Sequence, residues 1–133
     1  MTEPEDQSTV TPLVLPEIVT LPAEIDIRNA ECVARDMCEA LRPGVRVLIA
    51  DMSLTQFCDS SGIRSIVIAH DRAIRNDAEF RLVIPSARVL RVLSVLGLDH
   101  LLQIYPSLGM ALTSSPGRSP QAPLTRTLQQ DDQ

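Results

Sequence analysis

Apolar residues in the middle of the chain form short continuous runs that alternate with helically spaced patterns. Two runs, 45–50 (VRVLIA) and 80–84 (FRLVI), are apolar at most positions, which is typical of central strands buried on both faces of a sheet. Shorter strands are predicted at 17–21 and, at an edge of the sheet, at 102–105. Strands that alternate with helices pair in parallel through right-handed crossovers, so the pattern predicts an α/β fold.

Helical segments are predicted between and after these strands. Apolar residues recur at helical spacing over 29–41 and over 61–76. A third helix follows Ser86, a candidate N-cap, and ends at Gly97. A last helical turn or two is predicted at 108–113.

The two ends of the chain have a different composition from its middle. Residues 1–13 are mostly polar or acidic, and residues 115–133 carry three prolines and almost no apolar side chains. Such segments do not bury enough apolar surface to fold. We therefore expect a flexible N-terminal arm and a disordered C-terminal tail around one folded domain, residues 14–114.

Net charge and aromatic content indicate which classes of molecule the protein binds. The net charge is -5, and the chain has no Trp, one Tyr and two Phe. Nucleic-acid binding needs excess Lys and Arg and aromatic stacking, so we expect neither DNA nor RNA as a partner. No apolar run reaches the roughly 18 residues of a membrane span, and the acidic N-terminus is unlike a signal peptide. We expect a cytoplasmic protein that binds other proteins and no membrane.

The sequence offers few groups for catalysis or metal binding. Cys32, Cys38 and Cys58 have no CxxC spacing, which favours reduced, packed thiols over disulfides, a zinc site or a redox sensor. Neither His70 nor His100 has a nucleophile or metal-ligand partner at useful spacing. Since phosphate-binding, dinucleotide and hydrolase motifs are also missing from the sequence, we expect no catalytic residue, metal or cofactor.

The most informative segment is 50–63 (ADMSLTQFCDSSGI), which joins an apolar strand to the second helix. Asp and Ser before a helix are common N-caps, each typically worth about 1 kcal/mol, so capping by Asp59 or Ser60 is one interpretation. Capping needs one residue and leaves a serine, Ser61, exposed at the helix start, where the helix dipole tolerates a phosphate. Gly62 is expected to let another backbone come close.

Three stretches of the chain together resemble the STAS domains of bacterial anti-sigma factor antagonists. They are 21–33 (LPAEIDIRNAECV), 47–67 (VLIADMSLTQFCDSSGIRSIV) and 80–102 (FRLVIPSARVLRVLSVLGLDHLL). The resemblance implies the STAS fold, a mostly parallel or mixed sheet of four to five strands with about four helices packed on it. The chain departs from the family pattern at Ala23, where the family has glycine, and at Pro22 before it.

Carried over to this sequence, the resemblance implies a set of site residues. Ser61 is the implied phosphate acceptor, with Ser60 as the second choice. Asp59 would orient the loop or contact a kinase, and Asp26 would lie on a neighbouring loop near the same surface. With Gly62, these residues form the implied partner-binding site.

The resemblance also implies a partner-switching mechanism. The unphosphorylated protein, a monomer or weak dimer, would bind an anti-sigma factor that is itself a serine kinase, and so release a sigma factor. Phosphorylation adds roughly -1.5 to -2 charges, which repel a kinase site that holds nucleotide phosphates. A serine phosphatase would then reset the switch.

Two other functions are compatible with parts of the sequence. A STAS domain can act without phosphorylation, as an accessory subunit of a lipid-transport complex or a module of a sensory scaffold. The doubled serine before Gly62 favours phosphorylation over that static role. A small enzyme using Asp59 and Ser61 would need a general base near the serine, and the sequence suggests none.

Overall fold

A four-stranded parallel sheet lies at the centre of the computed structural model, which describes residues 15–114. Its strands, in spatial order, are β1 Glu17–Thr20, β3 Val47–Asp51, β5 Glu79–Val83 and β6 Gln103–Tyr105. Every neighbouring pair is parallel. A separate parallel ladder joins two short strands, β2 Glu24–Ile25 and β4 Phe57–Cys58.

Helices connect the strands in the alternating order that the sequence predicts. They are α1 Ala30–Ala40, α2 Ser60–Arg75, α3 Ala87–Val95 and α4 Leu108–Thr113, with a 3-10 turn at Leu98–His100. The α/β class and the mostly parallel sheet with four helices are thus confirmed. Helix α2 starts one residue earlier than the sequence suggests, at Ser60.

The two central strands are apolar at most positions because both of their faces are covered. Leu48 and Ala50 of β3 belong to a large core under α1, α2 and α3, whereas Ile49 packs on the opposite face. In β5, Leu82 belongs to the large core and Val83 packs on the opposite face. The largest fully buried side chains of the main core are Leu21, Ile25, Met37, Leu48, Met52, Ile66, Leu82, Leu93 and Leu98.

The second face of the sheet is closed by the six-residue helix α4. Ala111 of α4 packs against Ile49 and Val83, and all three are fully buried. Arg81, buried within β5, donates to the carbonyl oxygen of Ala111 and pairs with Glu79 across 2.9 Å. A buried, hydrogen-bonded arginine therefore ties the C-terminal helix of the domain to the sheet.

The β2/β4 ladder was not predicted from the sequence, because two-residue strands carry no periodicity. It joins the loop before α1 to the loop before α2, with Ile25 opposite Cys58. Both of these side chains are buried, so the ladder packs firmly on the core.

The predicted arm (1–13) and tail (115–133) lie outside the described residues. Within the described part of the chain, no helix is long and apolar enough to cross a membrane.

Candidate functional site

The segment that the sequence singles out lies where the carboxyl ends of the central strands meet the start of α2. Between β3 and β4, residues 52–56 are held by hydrogen bonds to the segment after β1. The buried hydroxyl of Thr55 donates to the carbonyl oxygen of Pro22 at 2.8 Å. The amide of Gln56 donates to the carbonyl oxygen of Ala23, also at 2.8 Å. These bonds fix the position from which α2 begins.

Asp59 is the N-cap of α2. Its Oδ1 accepts hydrogen bonds from the backbone amides of Ser61, at 2.9 Å, and of Gly62, at 3.1 Å. Its backbone is extended, with φ -91° and ψ -168°, as capping residues typically are. Of the two capping candidates the aspartate fills the role, which places Ser60 and Ser61 at the first and second helical positions.

The hydroxyls of these two serines are not used by the fold. Ser60 is exposed and Ser61 is half-buried, and neither side chain makes a hydrogen bond within residues 15–114. By contrast, the buried hydroxyl of Ser65, one turn later, donates to the carbonyl oxygen of Gly62 at 2.6 Å. The start of α2 thus presents two hydroxyls that can be modified without breaking a described contact.

Gly62 is buried, and its lack of a side chain serves this chain's own packing. A Cβ atom at this position would lie 2.5 Å from Sγ of Cys58 and 2.9 Å from Cγ2 of Ile25, far inside van der Waals contact. Only glycine lets α2 pack this closely on the β2/β4 ladder. The space beside Gly62 is therefore filled from within, which gives the glycine a packing role; close approach of a partner's backbone there stays a prediction.

Asp26 lies next to the cap of α2, on the neighbouring loop. The ladder pairs Ile25 with Cys58, and the amide of Asp59 donates to the carbonyl oxygen of Ile25 at 3.1 Å. The structure thus brings Asp26 and Asp59 to one surface. The carboxylate of Asp26 pairs with Arg28 at 2.6 Å, and this side-chain hydrogen bond lowers the pKa of Asp26 below its ordinary value.

Apolar side chains that the sequence reading missed are exposed on the segments flanking this site. Ile27 is 80% exposed, Leu54 60% and Phe57 50%. Ile27 directly follows Asp26, Leu54 lies in the turn before β4, and Phe57 belongs to β4. Their sequence signal is weak, since each stands alone among polar neighbours. Exposed apolar residues grouped near polar ones are common at protein–protein interfaces.

The thiol of Cys58, which precedes the cap of α2, has low reactivity. Burial, with a smaller contribution from the charge of Asp59, raises the pKa of Cys58 to about 12, so this thiol stays protonated at neutral pH. Cys32 is exposed and Cys38 half-buried, and all three cysteines are free. Among residues 15–114, no three His, Cys, Asp or Glu side chains are grouped so that they could hold a metal ion.

Comparisons with known proteins agree with this geometry. A family model described as the STAS domain matches residues 8–111. No match was found among curated proteins. An anti-sigma-factor antagonist (STAS) domain protein from Planctomyces limnophilus has a similar structure, with a TM-score of 0.65 and 23% identity. The alignment covers 77% of this chain and 91% of that one.

Two further solved structures are similar at lower identity. A sulfate transporter family protein from Wolinella succinogenes gives a TM-score of 0.64 at 19% identity, covering 84% of this chain and 93% of that one. The Bacillus cell fate determinant SpoIIAA, in its phosphorylated form, gives 0.56 at 20% identity, covering 75% and 92% respectively. At these identities the likeness concerns the fold.

Proposed function

This chain belongs to the STAS domain family, and on that basis we propose that it is a cytoplasmic anti-sigma factor antagonist switched by phosphorylation at Ser61. In its unphosphorylated form it binds an anti-sigma factor serine kinase, which then releases its sigma factor. Phosphorylation by the kinase separates the two proteins, and a serine phosphatase resets the switch. The chain acts as a binding module and not as an enzyme.

The observation that carries this proposal is that one residue caps α2 while the next two leave their hydroxyls unused. Asp59 accepts from the amides of Ser61 and Gly62 without help from a serine, and the hydroxyl of Ser61 makes no hydrogen bond among the described residues. Ser61 is half-buried at the helix start, so part of its side chain is open to a kinase. Ser60 remains the second choice as acceptor because its hydroxyl is equally unused and more exposed.

The surface around the serines supports a protein as the partner. Ile27, Leu54 and Phe57 offer exposed apolar area near the site, and Asp26 and Asp59 add negative charge. Apolar contacts would supply the affinity, and a phosphate of roughly -1.5 to -2 charges beside two carboxylates would oppose binding to a site that holds ATP. Release therefore follows from charge at the interface.

A second candidate is a STAS binding module that is never phosphorylated, as part of a transport or sensory complex. The observation favouring it is the structural likeness to a sulfate transporter family protein at a TM-score of 0.64. In that role the hydroxyl of Ser61 would contact a partner without being modified. The two functions differ in whether phosphate is ever transferred to the chain.

The test is incubation with ATP and each anti-sigma factor kinase encoded in the same genome, read by intact mass and fragment mapping. We expect one phosphate on the wild type and on Ser60→Ala, and none on Ser61→Ala. Ser61→Ala should still bind the kinase but resist release by ATP, while Ser61→Asp should bind more weakly. Phosphate that survives in Ser61→Ala moves the acceptor to Ser60. A kinase that binds the wild type without modifying it supports the passive module.

A further inference from the structure

An exposed stripe runs along the outer side of α2 from the two serines. Ser60, Arg64, Ile68 and Arg72 follow one another at intervals of four residues, and all four are exposed. Arg64 also lies three residues after Ser61. Residues three and four apart on a helix are neighbours, with about 5–6 Å between their Cβ atoms. One arginine is therefore adjacent to both candidate acceptors.

Most of the amides at the start of α2 are already engaged. Those of Ser61 and Gly62 donate to Oδ1 of Asp59, and of the first three only the amide of Ser60 makes no hydrogen bond among residues 15–114. A phosphate on Ser61 would lie beside this carboxylate, and two like charges repel each other. The helix dipole alone therefore does not balance the new charge, and a cation is needed nearby.

Arg28, on the loop beside the cap of α2, and Arg64, on α2 itself, differ in availability. Arg28 is engaged by Asp26 at 2.6 Å and lies 4.0 Å from Glu24. Arg64 makes no ion pair with any residue in 15–114. Long side chains on a helix lean toward its N-terminus, over the residues three and four positions earlier. A side chain at position 64 can therefore reach back over Ser60 and Ser61.

We propose that Arg64 is the positioning residue that holds the phosphate of phosphorylated Ser61 against the start of α2, an inference that rests on the proposed function. Its guanidinium donates charge-assisted hydrogen bonds to the phosphate oxygens, in place of the amides that Asp59 occupies. The guanidinium thereby offsets part of the phosphate's charge within the domain, and the remaining negative charge faces the partner. Phosphorylation consequently leaves the fold intact and acts on the partner.

The test places phosphoserine at position 61 during translation, so that no kinase is involved. The variants are Arg64→Gln and, as a matched control, Arg72→Gln, an exposed arginine on the same stripe but roughly 16 Å further along the helix than Ser61. Phosphorus NMR titration reports the second pKa of the phosphate, ordinarily about 6. Thermal unfolding with and without the phosphate reports its effect on the fold.

We expect Arg64→Gln to raise the pKa of the phosphate by about 0.2–0.4, the size of a helical ion pair, and Arg72→Gln to leave it unchanged. The phosphate should lower the unfolding temperature of Arg64→Gln more than that of the wild type. Unphosphorylated Arg64→Gln should unfold like the wild type, because the side chain is exposed.

The same second pKa of the phosphate in the wild type, Arg64→Gln and Arg72→Gln would overturn the inference. An additional variant, Arg28→Gln, tests the neighbouring loop: a shift in the phosphate's pKa produced by Arg28→Gln and not by Arg64→Gln would also overturn the inference. Neither result bears on whether a kinase modifies Ser61, because the phosphate is built in. Conversely, a kinase that ignores Ser61 refutes the proposed function while the titration can still be read.

Discussion

Helices α2 and α3 both begin at the carboxyl-terminal edge of the sheet, yet they use their serines differently. At α3, Ser86 is the N-cap, and its hydroxyl accepts from the amide of Val89 at 3.3 Å. At α2, Asp59 occupies the capping position, and Ser60 and Ser61 follow it inside the helix. The same residue type is thus structural at one helix start and unused at the other.

A third helix start repeats the pattern of α3. Ser107 caps α4 by accepting from the amide of Met110 at 3.2 Å. A capping hydroxyl that is modified loses its helix contact, whereas a hydroxyl beyond the cap loses nothing. The position of a serine relative to the N-cap therefore decides whether its hydroxyl is free to act as a switch, and a difference of one residue is enough.

The largest expected effect comes from the packing that distinguishes the start of α2. Gly62→Ala should lose roughly 2–3 kcal/mol of unfolding free energy, because the new methyl group overlaps Cys58 and Ile25 in a packed core. The matched control is Gly109→Ala in α4, where a Cβ would meet nothing nearer than 4.0 Å. It should gain up to about 1 kcal/mol, since alanine favours helix. Urea unfolding measures both.

Gly62→Ala also separates the two interpretations of this glycine. If it unfolds like the wild type but no longer binds a partner, the glycine serves the interface and the packing explanation is wrong. If it loses stability while its folded fraction binds normally, the contact with the ladder is the whole reason for the glycine.

The second expected effect is the loss of the aspartate cap. Asp59→Ala removes the acceptor of two backbone hydrogen bonds and should cost about 1–2 kcal/mol. Asp59→Asn is the matched control. Because its amide oxygen can still cap the helix, its loss of unfolding free energy should be a few tenths of the loss expected for Asp59→Ala. Denaturant unfolding of both proteins gives the difference. An unchanged Asp59→Ala would mean that Ser60 takes over the cap, which would erase the contrast with α3.

Local features of the fold could be predicted from the sequence because they depend on neighbouring residues. Ser86 caps α3 as expected, and that helix ends before Gly97, also as expected; Gly97 has a left-handed conformation with φ 77°. The apolar runs around Ile49 and Val83 also predicted strands that are buried on both faces. Each of these patterns can be read within one turn or one strand.

Features that depend on long-range contacts could not be predicted. Gly62 is fixed by Ile25, which lies on a different strand and too far along the chain for any local pattern to connect them. The buried Arg81 stood in an apolar run without a visible partner, and its acceptor in α4 became evident from the structure. The sequence therefore predicted which residues lie at the start of α2, but not the reason for the glycine or the choice of cap, and the role of these residues as a site stays a prediction.

The smallest expected effect is also the most direct test of the comparison between α2 and α3. Ser86→Ala should lose about 1 kcal/mol, because its hydroxyl caps α3, whereas Ser60→Ala should stay within about 0.5 kcal/mol of the wild type. Both substitutions remove one hydroxyl at a helix start, so each controls for the other. Equilibrium unfolding of the two variants in parallel gives the comparison. Equal losses would show that Ser60 contributes to the cap and that its hydroxyl is not free for modification.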